Sequence, residues 1–292
     1  MLKKIIGLIC AIAVLYSCNN EQESTTKQTE SKPTIAEKPT PVIDTIPSVT
    51  YTLLISKDSI KKYLKTADTN NIKIISGINR ADVKFLKRFD TIVVPSNLNL
   101  EPKSYFPFPY EAPFLTSVKK IIFFSYPTQS FAAYENGKLI YTGPTSMGRK
   151  ADLTPTGLYY TNWKAEETKS TFNDEWELKW NFNIENKLGV GFHQYEMPGY
   201  PASHSCLRLT EKDAKLLYEW ADQWTIKGTD NILAYGTPVV VFGAYPFGNS
   251  RPWIALSKNS TALNISTADL KNLTNLYLPD IMLKQEKKDK IK

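Results

Sequence analysis

Residues 191–209 read G-F-H-Q-Y-E-M-P-G-Y-P-A-S-H-S-C-L-R-L and concentrate the reactive side chains of this protein. The stretch contains both histidines of the 292-residue chain, His193 and His204, and Cys206 is the one cysteine beyond residue 18. A lone cysteine is more often a small buried apolar residue. A thiol with imidazoles close by in sequence is instead typical of a nucleophile, because an imidazole can accept the thiol proton. The clustering favours the second interpretation.

The second half of the stretch resembles the active-site motif of the L,D-transpeptidases of the YkuD type. In that family an upstream histidine is followed, after a short loop, by Ser/Thr-His-Gly-Cys, an apolar residue and arginine. His193 takes the upstream position, and the later positions are filled in order by Ser203, His204, Ser205, Cys206, Leu207 and Arg208. The chain departs from the motif twice, with Ser205 in place of the glycine and Gln194 where glycine commonly follows the first histidine.

The resemblance extends to both sides of the motif, from near Lys119 to Gly243. Residues 134–140 and 154–157 look like the opening strands of the family, and residues 236–242 look like its closing strand. The resemblance implies a mainly β fold, an L,D-transpeptidase-like β-sandwich with one clear helix after the nucleophile loop. A small α/β accessory segment would precede it.

The local patterns agree with this fold. Asn136-Gly137 between two strand-like pieces is a strong hairpin signal, and the spacing of the turns favours a sandwich or barrel. Thr210 is a good N-cap for a helix that begins four residues after Cys206, with Asp213 in the first turn. Alternation over residues 176–182 predicts a half-buried strand, whose aromatic side chains either fill the core or form a wall of the cleft. Core packing is the favoured alternative.

The N-terminus has the form of an exported lipoprotein. Lys3 and Lys4 precede an apolar run over residues 5–15, which is short for a membrane span and typical of a secretory signal. A small residue before Cys18 resembles a bacterial lipoprotein cleavage site, although an ordinary signal with an incidental cysteine is the alternative. We therefore expect a signal peptide at residues 1–17 and a lipidated Cys18 that opens a disordered tether over residues 18–50. The protein would face the periplasm or cell wall from a bacterial membrane.

Three further segments complete the predicted organisation. Residues 51–117 form an accessory α/β segment and a proline-rich connector, with strands at 51–55 and 91–94 and helices at 58–64 and 80–89. This segment either packs as a layer on the catalytic domain or forms a LysM-type glycan-binding module, which it faintly resembles. The catalytic domain occupies residues 118–247. Residues 248–292 read as an irregular, basic and poorly ordered tail.

The formal net charge of +7 is spread along the chain, with no basic block inside the predicted folded part. This distribution and the export signal argue against nucleic acid as a partner. We expect a monomer that needs no cofactor. A zinc site is disfavoured, because His204 and Cys206 are too close for the usual ligand spacing and only three good ligands are present.

By the resemblance, Cys206 is the nucleophile and His193 is its base, oriented by a backbone carbonyl. His204 would shape the loop, and a direct role stays open because residues i and i+2 of an extended loop point the same way. Arg208 would bind a substrate carboxylate or form a structural salt bridge, and Ser203 and Ser205 would line the substrate site. We expect a negative φ at Ser205, which would make the missing glycine harmless.

The reaction implied by the resemblance is acyl transfer between peptidoglycan stem peptides through a thioester on Cys206. Two alternatives use the same residues differently. Water could replace the acceptor amine and make the protein an L,D-carboxypeptidase or a related peptidoglycan hydrolase. A protein of another class would bind peptidoglycan without catalysis, although the retained cysteine and histidines argue against this.

Overall fold

The computed structural model describes residues 49–170 and 177–291 of the chain. Its strands and helices follow in chain order: β1 (Tyr51–Ile55), α1 (Lys57–Thr66), α2 (Thr69–Ile78), α3 (Val83–Leu86), β2 (Thr91–Pro95), β3 (Lys120–Ser125), β4 (Ser130–Glu135), β5 (Lys138–Pro144), β6 (Gly157–Tyr160), β7 (Lys164–Lys169), β8 (Glu177–Glu185), β9 (Val190–Gln194), β10 (Leu207–Leu209), α4 (Glu211–Trp220), β11 (Thr225–Lys227), β12 (Asn231–Ala234), β13 (Pro238–Phe242), α5 (Thr267–Thr274) and α6 (Leu278–Ile291). The fold is mainly β, as predicted, with several helices around two larger sheets.

The larger sheet has five strands in the order β5-β4-β3-β13-β6. Strands β3, β4 and β5 are antiparallel neighbours, and β13 runs parallel to β3 and antiparallel to β6. The predicted hairpin between β4 and β5 is confirmed. Its two turn residues, Asn136 and Gly137, have φ of 49° and 77°, the left-handed conformation that this turn requires.

The smaller sheet has four strands in the order β10-β9-β8-β7. Strands β7, β8 and β9 are antiparallel neighbours, whereas β10 runs parallel to β9. A parallel pair requires a crossover, and residues 195–206 provide it. The connection therefore returns from the end of β9 to the start of β10, where Leu207 pairs with Phe192.

The core between the sheets and α4 is apolar, and the strand β3 contributes to it on one face only. Its alternate residues Ile122 and Phe124 face the smaller sheet, whereas Ile121 and Phe123 face a second cluster on the opposite side. Burial on both faces explains why β3 reads as a continuous apolar run rather than as an alternating one.

The second face of the larger sheet is covered by the C-terminal residues. Leu270 of α5 and Ile281 of α6 are buried in the cluster on that face. The expectation of an irregular tail over residues 248–292 is therefore wrong. The many lysines of this segment made its apolar residues hard to recognise in the sequence. One of these lysines, Lys288, forms an ion pair with Asp222 at 2.8 Å.

The predicted helix after the nucleophile loop is confirmed as α4. The hydroxyl of Thr210 caps it by accepting the backbone N–H of Asp213 at 3.3 Å. Asp213 does not complete a capping box, since its carboxylate is buried and accepts the Tyr141 hydroxyl at 2.7 Å. The additional helices α5 and α6 lie in the C-terminal segment that the sequence predicts to be irregular, and α2 lies in the accessory α/β segment.

The accessory segment follows the order β1-α1-α2-α3-β2, with β1 and β2 antiparallel. Both strands and the first helix lie where the sequence predicts them. The second predicted helix, over residues 80–89, is wrong: it shrinks to α3, preceded by Arg80 with φ 55°. The segment packs on the larger sheet, where the buried Arg80 Nε donates to the carbonyl of Thr128, between β3 and β4, at 3.0 Å.

Several predictions fall outside the described residues. These are the signal peptide, the lipidated Cys18, the tether up to residue 48, and the aromatic side chains of Phe172 and Trp176. Within residues 49–170 and 177–291, the longest helices are too short or too polar to cross a lipid bilayer.

Candidate active site

The parallel pairing of β9 and β10 brings the predicted base and arginine side by side. His193 and Arg208 are directly opposite one another in the register, as are Phe192 and Leu207. Phe192 and Leu207 are fully buried in the core, so the alternation of a strand turns His193 and Arg208 to the other face.

That face opens into a cleft that is partly open to solvent. Cys206 lies two residues before Arg208 and lines the same cleft. The lining residues are Ser170, Leu178, His193, Tyr195, Ser203, His204, Cys206 and Arg208. Five of the six residues that the sequence singles out inside the motif therefore line this cleft. The sixth, Ser205, is not among the lining residues, so its expected place in the lining of the substrate site is not confirmed.

His193 is only 4% exposed, and its ring orientation is fixed by the backbone. Its Nδ1 lies 2.9 Å from the Gln194 carbonyl oxygen. A carbonyl oxygen only accepts, so Nδ1 carries the proton and Nε2 keeps its lone pair. Burial lowers the pKa of His193 to about 4, an effect that the hydrogen bond to Gln194 opposes and the charge of Arg208 reinforces. The imidazole is therefore neutral near pH 7 and able to accept a proton.

The Cys206 thiol is protonated in its resting state. Burial raises its pKa, while a hydrogen bond from the Gly191 backbone and the positive charge of Arg208 lower it in part. The Sγ atom lies 3.6 Å from the Gly189 carbonyl oxygen, to which the thiol can donate its proton. A neutral thiol and a neutral imidazole in one cleft suit proton transfer during nucleophilic attack rather than a preformed ion pair.

The turn before Cys206 is held by one local hydrogen bond and by bonds to residues about fifty positions earlier in the chain. The Ser203 hydroxyl donates to the Cys206 carbonyl at 2.5 Å, and the Thr154 hydroxyl donates to the Ser205 carbonyl at 2.8 Å. The Ser203 backbone is also bound to Met147, whose carbonyl accepts its N–H at 3.1 Å. The turn is thus tied to residues 147–154, which connect β5 and β6 of the larger sheet.

Ser205 has a φ of 74°, so the expectation of a negative φ is wrong. The position has the left-handed conformation for which glycine is suited, and serine carries a strain of about 1 kcal/mol there. Its own hydroxyl lies 2.5 Å from the His204 carbonyl, and the bond from Thr154 holds its carbonyl. The surrounding hydrogen bonds therefore maintain the conformation without the glycine.

His204 is bound differently from His193. Its Nε2 lies 3.9 Å from Asp152 Oδ2, a contact that becomes an ion pair when the ring is protonated. The same carboxylate accepts the Arg149 Nε at 2.5 Å. His204 lines the cleft from a turn and faces an acidic partner on the neighbouring loop, a partner that the sequence alone did not indicate.

Arg208 has an aromatic platform that sequence reasoning missed. Its guanidinium lies over the ring of Tyr195, 4.4 Å from the centroid, and its Nη1 approaches the Glu196 carbonyl at 3.4 Å. The stacking fixes the plane of the guanidinium, which suits bidentate binding of a carboxylate. Tyr195 follows β9 directly, but nothing in its sequence position marked it.

The aromatic segment before the motif does not form a wall of the cleft where it is described. Phe182 is fully buried in the core, and Trp180 packs against Tyr218 of α4 at 5.5 Å between ring centroids. Of residues 177–182, the aliphatic Leu178 lines the cleft. The favoured interpretation as core packing is confirmed for Phe182. The described residues contain no group of three or more metal-ligating side chains.

Residues 119–241 match the family model described as the L,D-transpeptidase catalytic domain, YkuD. Among solved structures, an L,D-transpeptidase (Yku) from Stackebrandtia nassauensis is 25% identical, with a TM-score of 0.36 over 44% of this chain and 57% of that one. An L,D-transpeptidase from Mycobacterium smegmatis is 17% identical, with a TM-score of 0.35 over 43% and 59%. A mutant of the Enterococcus faecium L,D-transpeptidase is 22% identical, with a TM-score of 0.33 over 42% and 50%. The chain thus spans less than two thirds of these structures, and no curated protein matches it.

Proposed function

We propose that residues 119–241, which match the family model of the YkuD L,D-transpeptidase catalytic domain, form such a domain and that the protein cross-links peptidoglycan stem peptides through a thioester on Cys206. The observation that carries the proposal is the shared face of β9 and β10. It presents a tautomer-fixed imidazole and a stacked guanidinium to the cleft that contains the thiol.

In the first half-reaction, Cys206 Sγ attacks the carbonyl that links the L-centre of a diamino acid to the terminal D-amino acid. His193 Nε2 accepts the thiol proton as the S–C bond forms. The backbone N–H groups of Ser205 and Cys206 are the groups that we assign to the oxyanion. The C–N bond then breaks, His193 returns the proton to the departing amine, and the D-amino acid leaves.

In the second half-reaction, an amine of another stem peptide attacks the thioester. His193 accepts a proton from the amine, the new amide bond forms, and the C–S bond breaks. The proton then returns to the Cys206 sulfur, which restores the resting thiol. Arg208 would hold a carboxylate of the donor stem, since its guanidinium faces the cleft and contacts no carboxylate of the described chain within salt-bridge distance.

The hydrolase alternative uses the same thioester on Cys206 and differs only in the acceptor, which is water instead of an amine. We retain transfer as the proposal, and hydrolysis is the competing outcome of its test.

The test is incubation of the full-length protein with disaccharide tetrapeptides, followed by mass spectrometry of the products and of the intact protein. We expect dimers joined through two diamino acids and a thioester adduct on Cys206. Tripeptides alone, in the presence of excess acceptor amine, would identify a hydrolase. A protein that forms neither product nor adduct would overturn the assignment, and the Cys206→Ala variant is the matched control.

We also propose that Cys18 is the acylated first residue of the mature protein, which would tie the enzyme to a bacterial membrane on its periplasmic or wall side. The proposal is supported by the charged and apolar residues that precede Cys18 in the sequence. Mass spectrometry of the native N-terminal peptide should show a diacylglyceryl or triacylglyceryl cysteine. Cleavage at another residue, with Cys18 unmodified, would contradict it.

A further inference from the structure

The loop 196–200, within the connection from β9 to β10, is held by the accessory segment. The backbone N–H of Asp82 donates to the Met197 carbonyl at 2.8 Å. In return, Asp82 Oδ2 accepts the Met197 N–H at 2.9 Å. Next to this pair, Ala81 and Pro198 form an antiparallel bridge. The accessory segment therefore adds a short backbone pairing to the loop, with one carboxylate as its central acceptor.

Two further contacts flank this pairing. The Lys84 side chain forms an ion pair with Glu196 at one end of the loop. At the other end Gly199 has a φ of 85°, and a Cβ placed there would lie 2.6 Å from the Phe89 ring. Only glycine allows so close an approach in this conformation. The loop is thus fitted against the accessory segment along its length.

The inner side of the same loop supports the cleft. The Glu196 carbonyl accepts Arg208 Nη1 at 3.4 Å, and the Tyr200 carbonyl accepts the Ser146 hydroxyl at 2.8 Å. Ser146 is itself paired with the Arg208 backbone, whose carbonyl accepts its N–H at 3.1 Å. The backbone of the loop therefore contacts the Arg208 guanidinium directly, through the Glu196 carbonyl. It contacts the Arg208 backbone indirectly, through Ser146.

We propose that Asp82, from the accessory segment, is a positioning residue for carboxylate recognition by Arg208. Its bonds to Met197 fix the adjacent Glu196 carbonyl, which contacts the guanidinium in the cleft. Loss of the Asp82 carboxylate leaves a nearly fully buried residue, Met197, with an unpaired N–H, and the loop must move to satisfy it. The substrate role of Arg208 rests on the proposed function, but its position beside Cys206 does not.

The alkylation rate of Cys206 by two reagents of different charge tests this position without any peptide substrate. Iodoacetate and iodoacetamide both form the S–C bond with loss of iodide, while His193 takes the thiol proton. Only iodoacetate carries a carboxylate that Arg208 can attract. The ratio of the two rate constants in the full-length protein therefore reports the position of the guanidinium and cancels changes in thiol reactivity.

We expect Asp82→Ala to lower the iodoacetate-to-iodoacetamide ratio about threefold or more, the size of one weakened charge contact near a surface. Asp82→Asn should keep a ratio near that of the wild type, since its amide oxygen can accept the same hydrogen bond. Asp90→Ala is the matched control, because Asp90 lies on the same segment in an exposed ion pair with Lys57. Its ratio should equal that of the wild type.

A double-mutant cycle separates positioning from general damage. Arg208→Gln sets the lowest ratio, and adding Asp82→Ala to it should lower the ratio no further. If Asp82→Ala does not fold, Lys84→Ala removes the exposed contact to Glu196 and should shift the ratio in the same direction, by less. An unchanged ratio in the folded Asp82→Ala or Lys84→Ala variant, or a further fall in the double variant, would overturn the proposal.

With stem peptides as substrate, Asp82→Ala should raise KM and leave kcat within about threefold of the wild type, because the thiol and its base are held by other contacts. A wild-type protein with no turnover of stem peptides would refute the proposed function alone. The alkylation ratio would still decide whether Asp82 positions Arg208.

Discussion

The strand pair β9–β10 and the turn 203–206 supply the two halves of the site by different means. In the strand pair, regular parallel register places His193 beside Arg208, and the opposite faces of both strands are anchored in the core. In the turn, a left-handed Ser205 is held by individual hydrogen bonds, one of them from Thr154. Regular structure thus fixes His193, the proposed proton acceptor, while a strained turn sets the position of Cys206, the proposed nucleophile.

The largest effect is expected from removal of the Cys206 thiol, which belongs to the turn and lines the same cleft as His193 and Arg208 of the strand pair. Cys206→Ala should abolish turnover and leave the unfolding temperature within a few degrees of the wild type, because it deletes only a sulfur atom from a half-buried position. Product analysis with stem peptides and thermal unfolding measure the two properties. Residual formation of a covalent adduct by this variant would show that the nucleophile lies elsewhere.

The second prediction compares the histidine of the strand with the histidine of the turn. His193→Ala should lower kcat about 10²- to 10⁴-fold, the usual contribution of a general base, and should slow iodoacetamide alkylation of Cys206 near pH 7. His204→Ala serves as the matched variant and should lower kcat less than about tenfold, since its ring contacts Asp152 rather than accepting the thiol proton. The reverse order would mean that the turn, not the strand pair, carries the base.

The third prediction uses the acid limb of the pH profile. Burial lowers the pKa of His193 to about 4, so its neutral form persists at pH 5. The value of kcat/KM should therefore stay flat from pH 7 to pH 5 and fall about tenfold per pH unit below about pH 4. An acid limb near the ordinary histidine pKa of about 6.5 would contradict a buried base.

The same group links folding to pH. The unfolded chain binds a proton at His193 below about pH 6.5, whereas the folded protein resists it down to about pH 4. This contribution to stability is therefore present above about pH 6.5 and is lost as the pH falls toward 4. Thermal unfolding of wild type and His193→Gln between pH 7 and pH 4 should show a smaller loss in the variant.

The smallest expected effect concerns the strain in the turn. Ser205→Gly should relieve about 1 kcal/mol of backbone strain, but glycine also adds conformational entropy to the unfolded chain. We therefore expect the free energy of unfolding to rise by a few tenths to about 1 kcal/mol. Chemical denaturation measures it, with Ser203→Gly as a control at a residue outside the left-handed region. A loss of stability in Ser205→Gly would show that the serine hydroxyl bond outweighs the strain.

Much of the fold was predictable where local chemistry determines it. The hairpin at Asn136-Gly137 and the helix capped by Thr210 depend on contacts within a few residues, and both lie where the sequence predicts them. The C-terminal segment was missed because its buried residues, among them Leu270 and Ile281, are separated by lysines and polar residues. Their role depends on a distant sheet face that needs a cover, which no local pattern reveals.

The sequence by itself determined the candidate reactive residues, because a thiol and two imidazoles in one short stretch are the groups that a cysteine nucleophile needs. It also determined the family motif and the strand-rich character of residues 119–241. Tertiary structure decided the tautomer of His193, the left-handed φ of Ser205 and the hydrogen bond between Asp82 and the loop 196–200. These depend on burial and on hydrogen bonds between residues up to 115 positions apart, so they arise only when the chain packs.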